Sequence, residues 1–486
     1  MMKLFLYTAL FLLGSAFANL SAASAQNIAR QAGAQTTPLP KAEKILGFEE
    51  YLGYVKQFHP LVKQAGLVLT EGQAEVLRAR GGFDPKLVAD YERKDFKDLE
   101  YYDLFDAKLK IPTWYGVELK AGFERNEGVF LNDQNFVPDD GLFAAGISVD
   151  IGQGFWINER MATLRKAKFF RQQTQADRDL LLNQVIYDAS LAYFNWLQAY
   201  QDAITIEQFV ANATLRYEGI QKNVEVGESA QIDATEALIS LQDRQLSFEQ
   251  AKVTLFNAGM RLSNFLWLTD DTPLELEENV IPNLNIVSEI DISLQIAGQS
   301  LETFTIANHP KLQSLNLKLE ALQVDRSLKA NKLLPKLKLE YNFLTETPDI
   351  GNSFLANQYK GGVNFSFPLF LRKERGDLKL SKLKIQNTEL DLITTELMIQ
   401  NDVKAIYQEL ESYTKQNTLI ADIVTNYQVL LSGEERKFEV GESSIFLVNS
   451  RERSLIDSYL KQNKLQNSFL KTKAKLFKSI GVRPEL

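Results

Sequence analysis

Residues 59–85 read HPLVKQAGLVLTEGQAEVLRARGGFDP, and residues 309–335 read HPKLQSLNLKLEALQVDRSLKANKLLP. Both stretches begin with His-Pro and end with proline, and they lie 250 residues apart at both ends, since 310 − 60 and 335 − 85 give the same offset. They hold the only two histidines of the 486-residue chain. Self-similarity at a fixed spacing indicates a protein built from two copies of one unit.

A shorter motif recurs further along each copy, in the same order. Residues 225–229 read EVGES, and residues 439–443 also read EVGES, which is an offset of 214 residues. Because glycine adopts the backbone conformation that ends a helix, Gly227 and Gly441 are the predicted turn residues between two helices. The His-Pro stretches and the EVGES motifs, each present twice in the same order, together predict two repeats with the same sequence of elements.

The composition excludes several classes of function. The formal net charge is −8 and no dense cluster of Lys and Arg is present, which argues against nucleic acid as a partner. The chain has no cysteine, so disulfides, thiolate metal sites, cysteine nucleophiles and a lipid anchor on an N-terminal cysteine are excluded. No HExxH, GxSxG, P-loop or dinucleotide motif occurs, and no cofactor is expected.

The first residues are typical of a secretory signal. A lysine at position 3, an apolar core over residues 4–17 and the small residues ASA at 23–25 predict a signal peptide over residues 1–25. Residues 26–42 are a predicted flexible lead-in. The alternative is a membrane anchor, for which the apolar run is short. Since no later stretch offers 18 consecutive apolar residues, we expect the mature chain to meet a membrane only as β-strands.

Residues 86–151 and 336–369 alternate apolar and charged side chains with a two-residue period, which predicts strands. The clearest run is KLKLEYNF at residues 336–343. The first region shows four strand-like segments and the second shows two. This alternation by itself favours a soluble sheet over a core, with an outer-membrane barrel whose apolar face meets lipid as the alternative.

A very long helix is predicted over residues 156–222, because this stretch contains no proline and no glycine before Gly219. At 1.5 Å per residue it would be ~100 Å long. Its apolar and small side chains keep the three-four spacing of a coiled-coil seam. The seam consists of Leu182, Val185, Ala189, Ala192, Trp196, Ala199, Ala203, Ile206, Val210, Ala213 and Tyr217.

The remaining segments complete the two predicted repeats. Ser229 is the predicted N-cap of a return helix, and Ser443 or Ser444 has that role in the second copy. The first repeat, 43–268, comprises helices over 43–80, strands over 86–151, the long helix 156–222 and the return helix 229–268. A connecting segment, 269–308, holds short β-rich pieces at 286–287 and 292–294. The second repeat, 309–486, comprises helix 310–333, strands 336–369, long helix 371–437 and return helix 444–480.

This order of elements, carried out twice behind a signal peptide, resembles the TolC family of outer-membrane efflux proteins. The residues that carry the resemblance are the two Pro-to-Pro stretches, 60–85 and 310–335, and the glycine turns at 227 and 441. The resemblance implies an α+β membrane protein with two internal structural repeats per chain. A trimeric outer-membrane β-barrel would be continued by a long periplasmic α-helical barrel.

The function that the resemblance implies is a passive exit duct of a tripartite efflux pump or a type I secretion system. The implied partners are two further copies in a homotrimer, outer-membrane lipid, a periplasmic adaptor protein and an inner-membrane transporter. The duct would lie in the outer membrane with its helical part in the periplasm, and it would catalyse nothing. The competing interpretation is a non-channel coiled-coil scaffold or adhesin of the envelope, which leaves the alternating strands unexplained.

Two features depart from the family pattern. Six strand-like segments exceed the four that family members usually contribute, so the extra hairpin either joins the barrel or decorates a loop. The family closes the periplasmic end with acidic side chains soon after the glycine turn. The first copy has Asp233 and Glu236 there, whereas the same offsets in the second copy give Leu447 and Ser450. An acidic aperture would therefore come from the first copy only.

The candidate functional residues each have a structural alternative. The hairpin tips Gly227, Glu228, Ser229, Gly441, Glu442 and Ser443 are expected to contact the adaptor. Asp233 and Glu236 either line the aperture or only favour a helix dipole. His59 and His309 lack the ligand cluster of a metal site, so no metal is expected. Interfacial aromatic residues are expected among Trp114, Tyr115, Phe143, Tyr359 and Phe370, with core packing as the alternative.

Overall fold

The computed structural model describes residues 37–40, 44–301, 304–347, 349 and 355–484. The predicted signal peptide 1–25 and most of the lead-in 26–42 lie outside these residues. The described chain consists of long helices, one six-stranded antiparallel sheet and a short two-stranded parallel sheet. Within the described ranges, no helix is long and apolar enough to cross a membrane.

The helices and strands follow one another in the same pattern in the two halves. In the first half these are β1 (Lys44–Leu46), α1 (Phe48–Phe58), α2 (Pro60–Arg80), β2 (Lys86–Phe96), β3 (Leu99–Pro112), β4 (Val117–Glu127), β5 (Leu142–Asp150), α3 (Glu159–Glu225) and α4 (Gln231–Ser263). After β6 (Val280–Pro282) and the one-turn helix α5 (Ile290–Ser293), the second half has α6 (Pro310–Asn331), β7 (Lys336–Thr345), β8 (Tyr359–Ser366), α7 (Arg372–Glu439) and α8 (Ile445–Ile480).

The six long strands form one sheet with the order β2-β3-β4-β5-β7-β8. The extra hairpin of the first repeat is therefore part of the sheet and does not decorate a loop. The connecting segment differs from its prediction, because residues 286–288 form a 3₁₀ turn and residues 290–293 a helical turn. Its strand is Val280–Pro282, which pairs in parallel with β1. Isoleucine and valine at 286–292 favoured strands by propensity alone, and propensity is a weak guide in a short segment.

The helix α3 has 67 residues and would extend ~100 Å. Every residue of the predicted seam is buried along it except Tyr217, which is partly buried. Helix α3 packs against α4 on one side and against α8 on the other, and α8 packs against α7. The four helices therefore lie in the order α4-α3-α8-α7, with α4 and α7 at the two edges.

The largest core lies where the connecting segment wraps around the middle of the long helices. Tyr51 and Tyr193 are fully buried, and their ring centroids lie 5.4 Å apart. The hydroxyl of Tyr193 donates to the carbonyl of Leu46 at 2.7 Å, and it accepts from the amide of Asn283 at 3.1 Å. A buried hydroxyl without such partners would be unfavourable. Tyr193 thus fixes the small β1-β6 pair to helix α3.

Candidate functional site

One face of the six-stranded sheet is polar and charged. Residues directly opposite each other in an antiparallel pair point to the same face, so the strand register sorts the side chains. One face carries the even-numbered positions of strands β3, β4, β5, β7 and β8 and residues 86–94 of β2. On that face Lys120 pairs with Glu340 at 2.8 Å. A hollow of about 340 Å³ on it is bordered by residues of five strands.

The opposite face of the sheet is apolar and exposed. Its side chains include Leu87 (76% exposed), Val363 (72%) and Phe365 (67%). Large exposed apolar patches mark contacts with a partner or with lipid. The apolar band stops on β3 and β4, where Asp103 lies opposite Glu127 on that face. A band of this kind, bounded by charge, has the pattern of a lipid-facing surface.

The turn between β3 and β4 is fixed to the helices. The ring of Trp114 stacks on Phe83 with centroids 5.4 Å apart, and Arg165 lies 5.7 Å above it. Asn158 caps the start of α3 by accepting from the amide of Met161, and its side-chain amide donates to the carbonyl of Trp114. The surroundings of Trp114 therefore match the core-packing alternative.

The other four predicted belt residues are less enclosed. Tyr115 (59% exposed), Tyr359 (56%) and Phe370 (72%) lie at the surface. Phe143 is partly buried and contacts Phe123, with ring centroids 4.7 Å apart. An interfacial role for these four residues remains a prediction.

The two predicted hairpin tips have the same backbone geometry. Gly227 has φ +82° and Gly441 has φ +78°, which is the left-handed region that favours glycine. The amide of Glu228 bonds the carbonyl five residues back at 2.8 Å, and the amide of Glu442 does the same. This is the hydrogen bonding of a Schellman motif, which ends each long helix at its glycine. A Cβ on either glycine would meet nothing within 4 Å, so both tips are open.

The start of the return helix differs between the two repeats. The predicted N-cap Ser229 is wrong, because α4 begins at Gln231 and Ala230 occupies its N-cap position. Asp233 provides the N3 half of a capping box, because its carboxylate accepts from the amide of Ala230 at 3.3 Å. In the second repeat, Ser444 is the N-cap of α8 and accepts from the amide of Leu447. Serine therefore has the capping role only in the second repeat.

Ser443 and the two aperture candidates lie close to these helix starts. The hydroxyl of Ser443 donates to Glu434 at 2.6 Å, and this bond lowers the pKa of that carboxyl. Asp233 is a capping residue in addition to any role in the aperture. Glu236 is partly buried one turn further on. The aperture and adaptor-contact roles remain predictions.

The two histidines are helix caps. Nδ1 of His59 accepts from the amide of Leu61 at 3.2 Å, and Nδ1 of His309 accepts from the amide of Lys311 at 3.1 Å. Burial lowers the pKa of both rings, that of His309 to about 4. In the described part of the chain, no group of three or more His, Cys, Asp and Glu side chains could hold a metal ion.

A buried ionic cluster links all four long helices, and the sequence reasoning missed it. Glu452 on α8 is fully buried and lies 3.0 Å from Arg216 on α3. Its other oxygen lies 3.7 Å from Arg244 on α4, and Arg216 also contacts Glu435 on α7 at 3.2 Å. The available signal was the position of Glu452, which follows Ile445 and Val448 at the three-four spacing of a seam.

Comparison with known proteins agrees with this architecture. Residues 304–482 match the family model described as outer membrane efflux protein. The chain carries an outer membrane efflux protein domain. The resemblance to the TolC family is thereby confirmed. No curated protein matches the chain in sequence.

Solved structures share the fold of this chain over almost its whole length. The Campylobacter jejuni CmeC outer membrane channel is 14% identical, with a TM-score of 0.64 over 93% of this chain and 91% of that chain. The outer membrane protein VceC from Vibrio cholerae is 11% identical, with a TM-score of 0.63 over 89% and 96%. The open state of the Neisseria gonorrhoeae MtrE outer membrane channel is 12% identical, with a TM-score of 0.60 over 89% and 88%.

Proposed function

We propose that three copies of this chain form a passive exit duct through the outer membrane. The duct serves a tripartite efflux pump or a type I secretion system, in which an inner-membrane transporter supplies the energy. The observation that carries the proposal is the two-faced sheet. Its exposed apolar face suits lipid and its charged face suits a water-filled lumen. The chain binds and guides cargo and has no catalytic role.

The edges of the sheet support a closed ring of copies. Strands β2 and β8 lie at the edges and are exposed along their whole length. In lipid every backbone polar group needs a partner, so each edge must pair with another strand. Pairing β2 of one copy with β8 of the next is a heterologous contact, which closes into a ring. Six strands from each of three copies give 18 strands, a size that leaves an aqueous channel.

The edges of the helical layer lead to the same arrangement. On α4, four exposed apolar side chains lie seven residues apart, namely Ile232, Ile239, Leu246 and Val253. On α7, three exposed leucines also lie seven residues apart, namely Leu383, Leu390 and Leu397. Exposed apolar side chains at heptad spacing form a coiled-coil seam that lacks a partner helix. We infer that the α4 and α7 seams belong to the ring contacts between neighbouring copies, and that the closed helical barrel lies in the periplasm.

The hairpin tips are the proposed docking points for the periplasmic adaptor protein. Val226 (70% exposed) and Val440 (67%) precede the two glycines and are among the most exposed valines of the described chain. They are followed by Glu228-Ser229 and by Glu442-Ser443. The duplicated sequence and backbone give six nearly equivalent tips in a trimer, which suits a partner that also binds in several copies.

The aperture is proposed to lie just past the first tip, at Asp233 and Glu236. Single-channel conductance of the purified protein in planar bilayers tests both the duct and this position. Asp233→Ala/Glu236→Ala should raise a small, cation-selective conductance. The matched control is Leu447→Ala/Ser450→Ala, which alters the same offsets in the second repeat and should leave the conductance unchanged. An equal effect of both variants would refute the proposed position of the aperture.

A coiled-coil envelope scaffold is the competing function. A duct should be recovered from the outer-membrane fraction as detergent-resistant trimers that dissociate on heating, whereas a scaffold would be soluble in the periplasm. Folded trimers with neither conductance nor a barrel in electron micrographs would refute the duct.

A further inference from the structure

Four lysines lie in one register row across the polar face of the sheet, and this set is called the lysine row. Lys86 lies opposite Lys110, and Lys110 lies opposite Lys120. The row continues through Gly146 and Asn342 to Lys360 on the edge strand β8. The six positions therefore hold four cations and no carboxylate.

Three carboxylates lie opposite one another in a second row, called the acidic row. Asp90 lies opposite Asp106, and Asp106 lies opposite Glu124. This row is four residues from the lysine row along each strand, which corresponds to ~13 Å. The lysine row is thus separated from the acidic row and lies on the side of the helices, while Lys108 between the two rows pairs with Asp106 and Glu340 beside the lysine row pairs with Lys120.

This separation disfavours the isolated sheet. Like charges directly opposite each other on neighbouring strands are destabilising, and opposite charges there are stabilising. Lys86, Lys110 and Lys360 have no carboxylate within 4 Å among the described residues, and only Lys120 of the row has one, Glu340. A sheet selected for stability alone would place a carboxylate opposite each lysine. The three unpaired lysines therefore leave positive charge for a group that is not part of the chain.

The shape of the surface matches this use. The hollow of about 340 Å³ on the polar face is bordered by the carboxylates of Asp106, Glu124 and Glu340 and by Lys108, and by Lys110, Lys120 and Lys360 of the row. Between them the row has only Gly146 and Asn342, so short side chains separate the cations of the two halves. A solute in the hollow is within reach of several ammonium groups at once. Rings of lysine or arginine are a common basis of anion selectivity in pores.

We propose that the lysine row is an anion-binding band in the lumen of the duct, and that it favours cargo with several carboxylate or phosphate groups. This inference rests on the trimeric duct proposed above, in which the three rows bring together twelve lysines, four from each copy. Because barrel strands tilt by ~40°, each row climbs along the wall as it crosses its copy. An anion that passes along the wall stays close to lysines over part of its path.

Block of single-channel current by citrate tests the proposal. Citrate is a trivalent anion at pH 7.5, and it is added to the side on which the sheet lies, in 0.1 M and in 1 M KCl. Wild-type channels should be blocked transiently at the lower salt concentration. The block should weaken at 1 M, where the screening length falls from ~10 Å to ~3 Å. Lys86→Gln/Lys110→Gln/Lys360→Gln should weaken the block about tenfold, as expected for three solvated charge contacts.

The matched control changes the acidic row on the same strands. Asp90→Asn/Glu124→Gln leaves the lysine row in place and should retain or strengthen the block. Equal block of wild type and the lysine variant, or no block of conducting wild-type channels, would overturn the anion-binding band and leave the duct intact. Absence of any conductance in wild-type trimers would instead refute the proposed function. The two failures are therefore distinguishable.

Discussion

The ring of His309 lies against Gly481, because a Cβ on Gly481 would come within 3.1 Å of its Nε2, and so joins the first helix of the second repeat to the end of its last helix. Its Nδ1 caps helix α6 at the same time. His59 has the same place in the first repeat, where its ring stacks on Phe265 just past the end of α4, with centroids 5.4 Å apart. A histidine at the same position of each repeat thus connects the beginning of that repeat to its end.

The cap at His309 makes stability depend on pH. Its pKa is about 4 in the folded protein and about 6.5 in an unfolded chain. Between these values the unfolded chain binds more protons, so the free energy of unfolding falls as pH decreases. We expect a loss of about 3 kcal/mol on going from pH 7.5 to pH 4, because the difference is about 2.5 pH units.

Thermal unfolding of the detergent-solubilised protein, followed by circular dichroism from pH 4 to 7.5, measures this loss. His309→Asn is the matched control, because asparagine can cap a helix and does not titrate in this range. The variant should show a shallower pH dependence than wild type. The same slope in both proteins would show that other groups cause the acid sensitivity.

Glu452 is expected to be the most sensitive ionic residue of the helical layer. Glu452→Ala leaves Arg216 and Arg244 without their buried carboxylate, and an uncompensated buried charge costs about 3–5 kcal/mol. The measurement is the unfolding temperature together with the rate of cleavage by trypsin. Glu411→Ala, which breaks an exposed pair with Lys415 one turn away, is the control and should change neither.

A second variant separates charge from packing at this cluster. Replacing Arg216, Arg244 and Glu452 together by Met, Met and Leu removes the buried ionic residues and leaves only the more exposed Glu435. This variant should recover much of the stability lost in Glu452→Ala, because well-packed apolar residues can replace a buried ionic cluster. A triple variant that is less stable than the single one would show that the cluster contributes more than charge balance.

Gly146 is expected to be indispensable for strand pairing between the two repeats. A Cβ at this position would lie 2.1 Å from the carbonyl oxygen of Tyr341 and 2.5 Å from the Cα of Asn342, so the backbones of β5 and β7 would have to separate. Gly146→Ala should lower the temperature at which trimers dissociate on a denaturing gel. Gly362→Ala on β8 meets nothing within 4 Å and should leave that temperature unchanged.

The tip glycines are expected to be intolerant of a side chain although they have free space around them. Gly227→Ala or Gly441→Ala places a Cβ in the left-handed region, which costs about 1–2 kcal/mol. Gly219→Ala, six or more residues inside α3 and also without neighbours within 4 Å, should instead stabilise by about 0.5–1 kcal/mol. Hydrogen exchange at residues 223–230 and 437–444 reports local opening of each tip, and equal protection in tip variants and wild type would contradict the expectation.

The elements that the sequence predicted are those whose apolar pattern repeats over many residues. The seam from Leu182 to Ala213 and the alternation at residues 336–343 each extend over many residues, so a single irregular position does not hide them. The pairing of the two repeats through β5 and β7 could not be derived, because it depends on contacts about 200 residues apart. Only the duplication, together with the resemblance, placed those strands in one sheet.

Details at single positions were harder to predict. Ser229 has the residue type of an N-cap, yet the helix starts two residues later and its N-cap is Ala230, whose amide donates to the carboxylate of Asp233. Glu452 lies at seam spacing after Ile445 and Val448, but its partners Arg216 and Arg244 lie on two other helices. Which partners such a residue finds follows from three-dimensional packing and cannot be derived from the spacing.

The open edges of the sheet at β2 and β8 also bear on how the protein matures. In the proposed duct, a lone chain cannot finish its own hydrogen bonding, because the missing strands belong to two other molecules. Folding of the sheet and association of the three copies then occur in one step, and the rate of that step depends steeply on the local concentration of the chain. Until that step each chain exposes two unpaired strand edges, which can pair with other chains. The monomer in the periplasm is therefore the stage at which aggregation is most favoured.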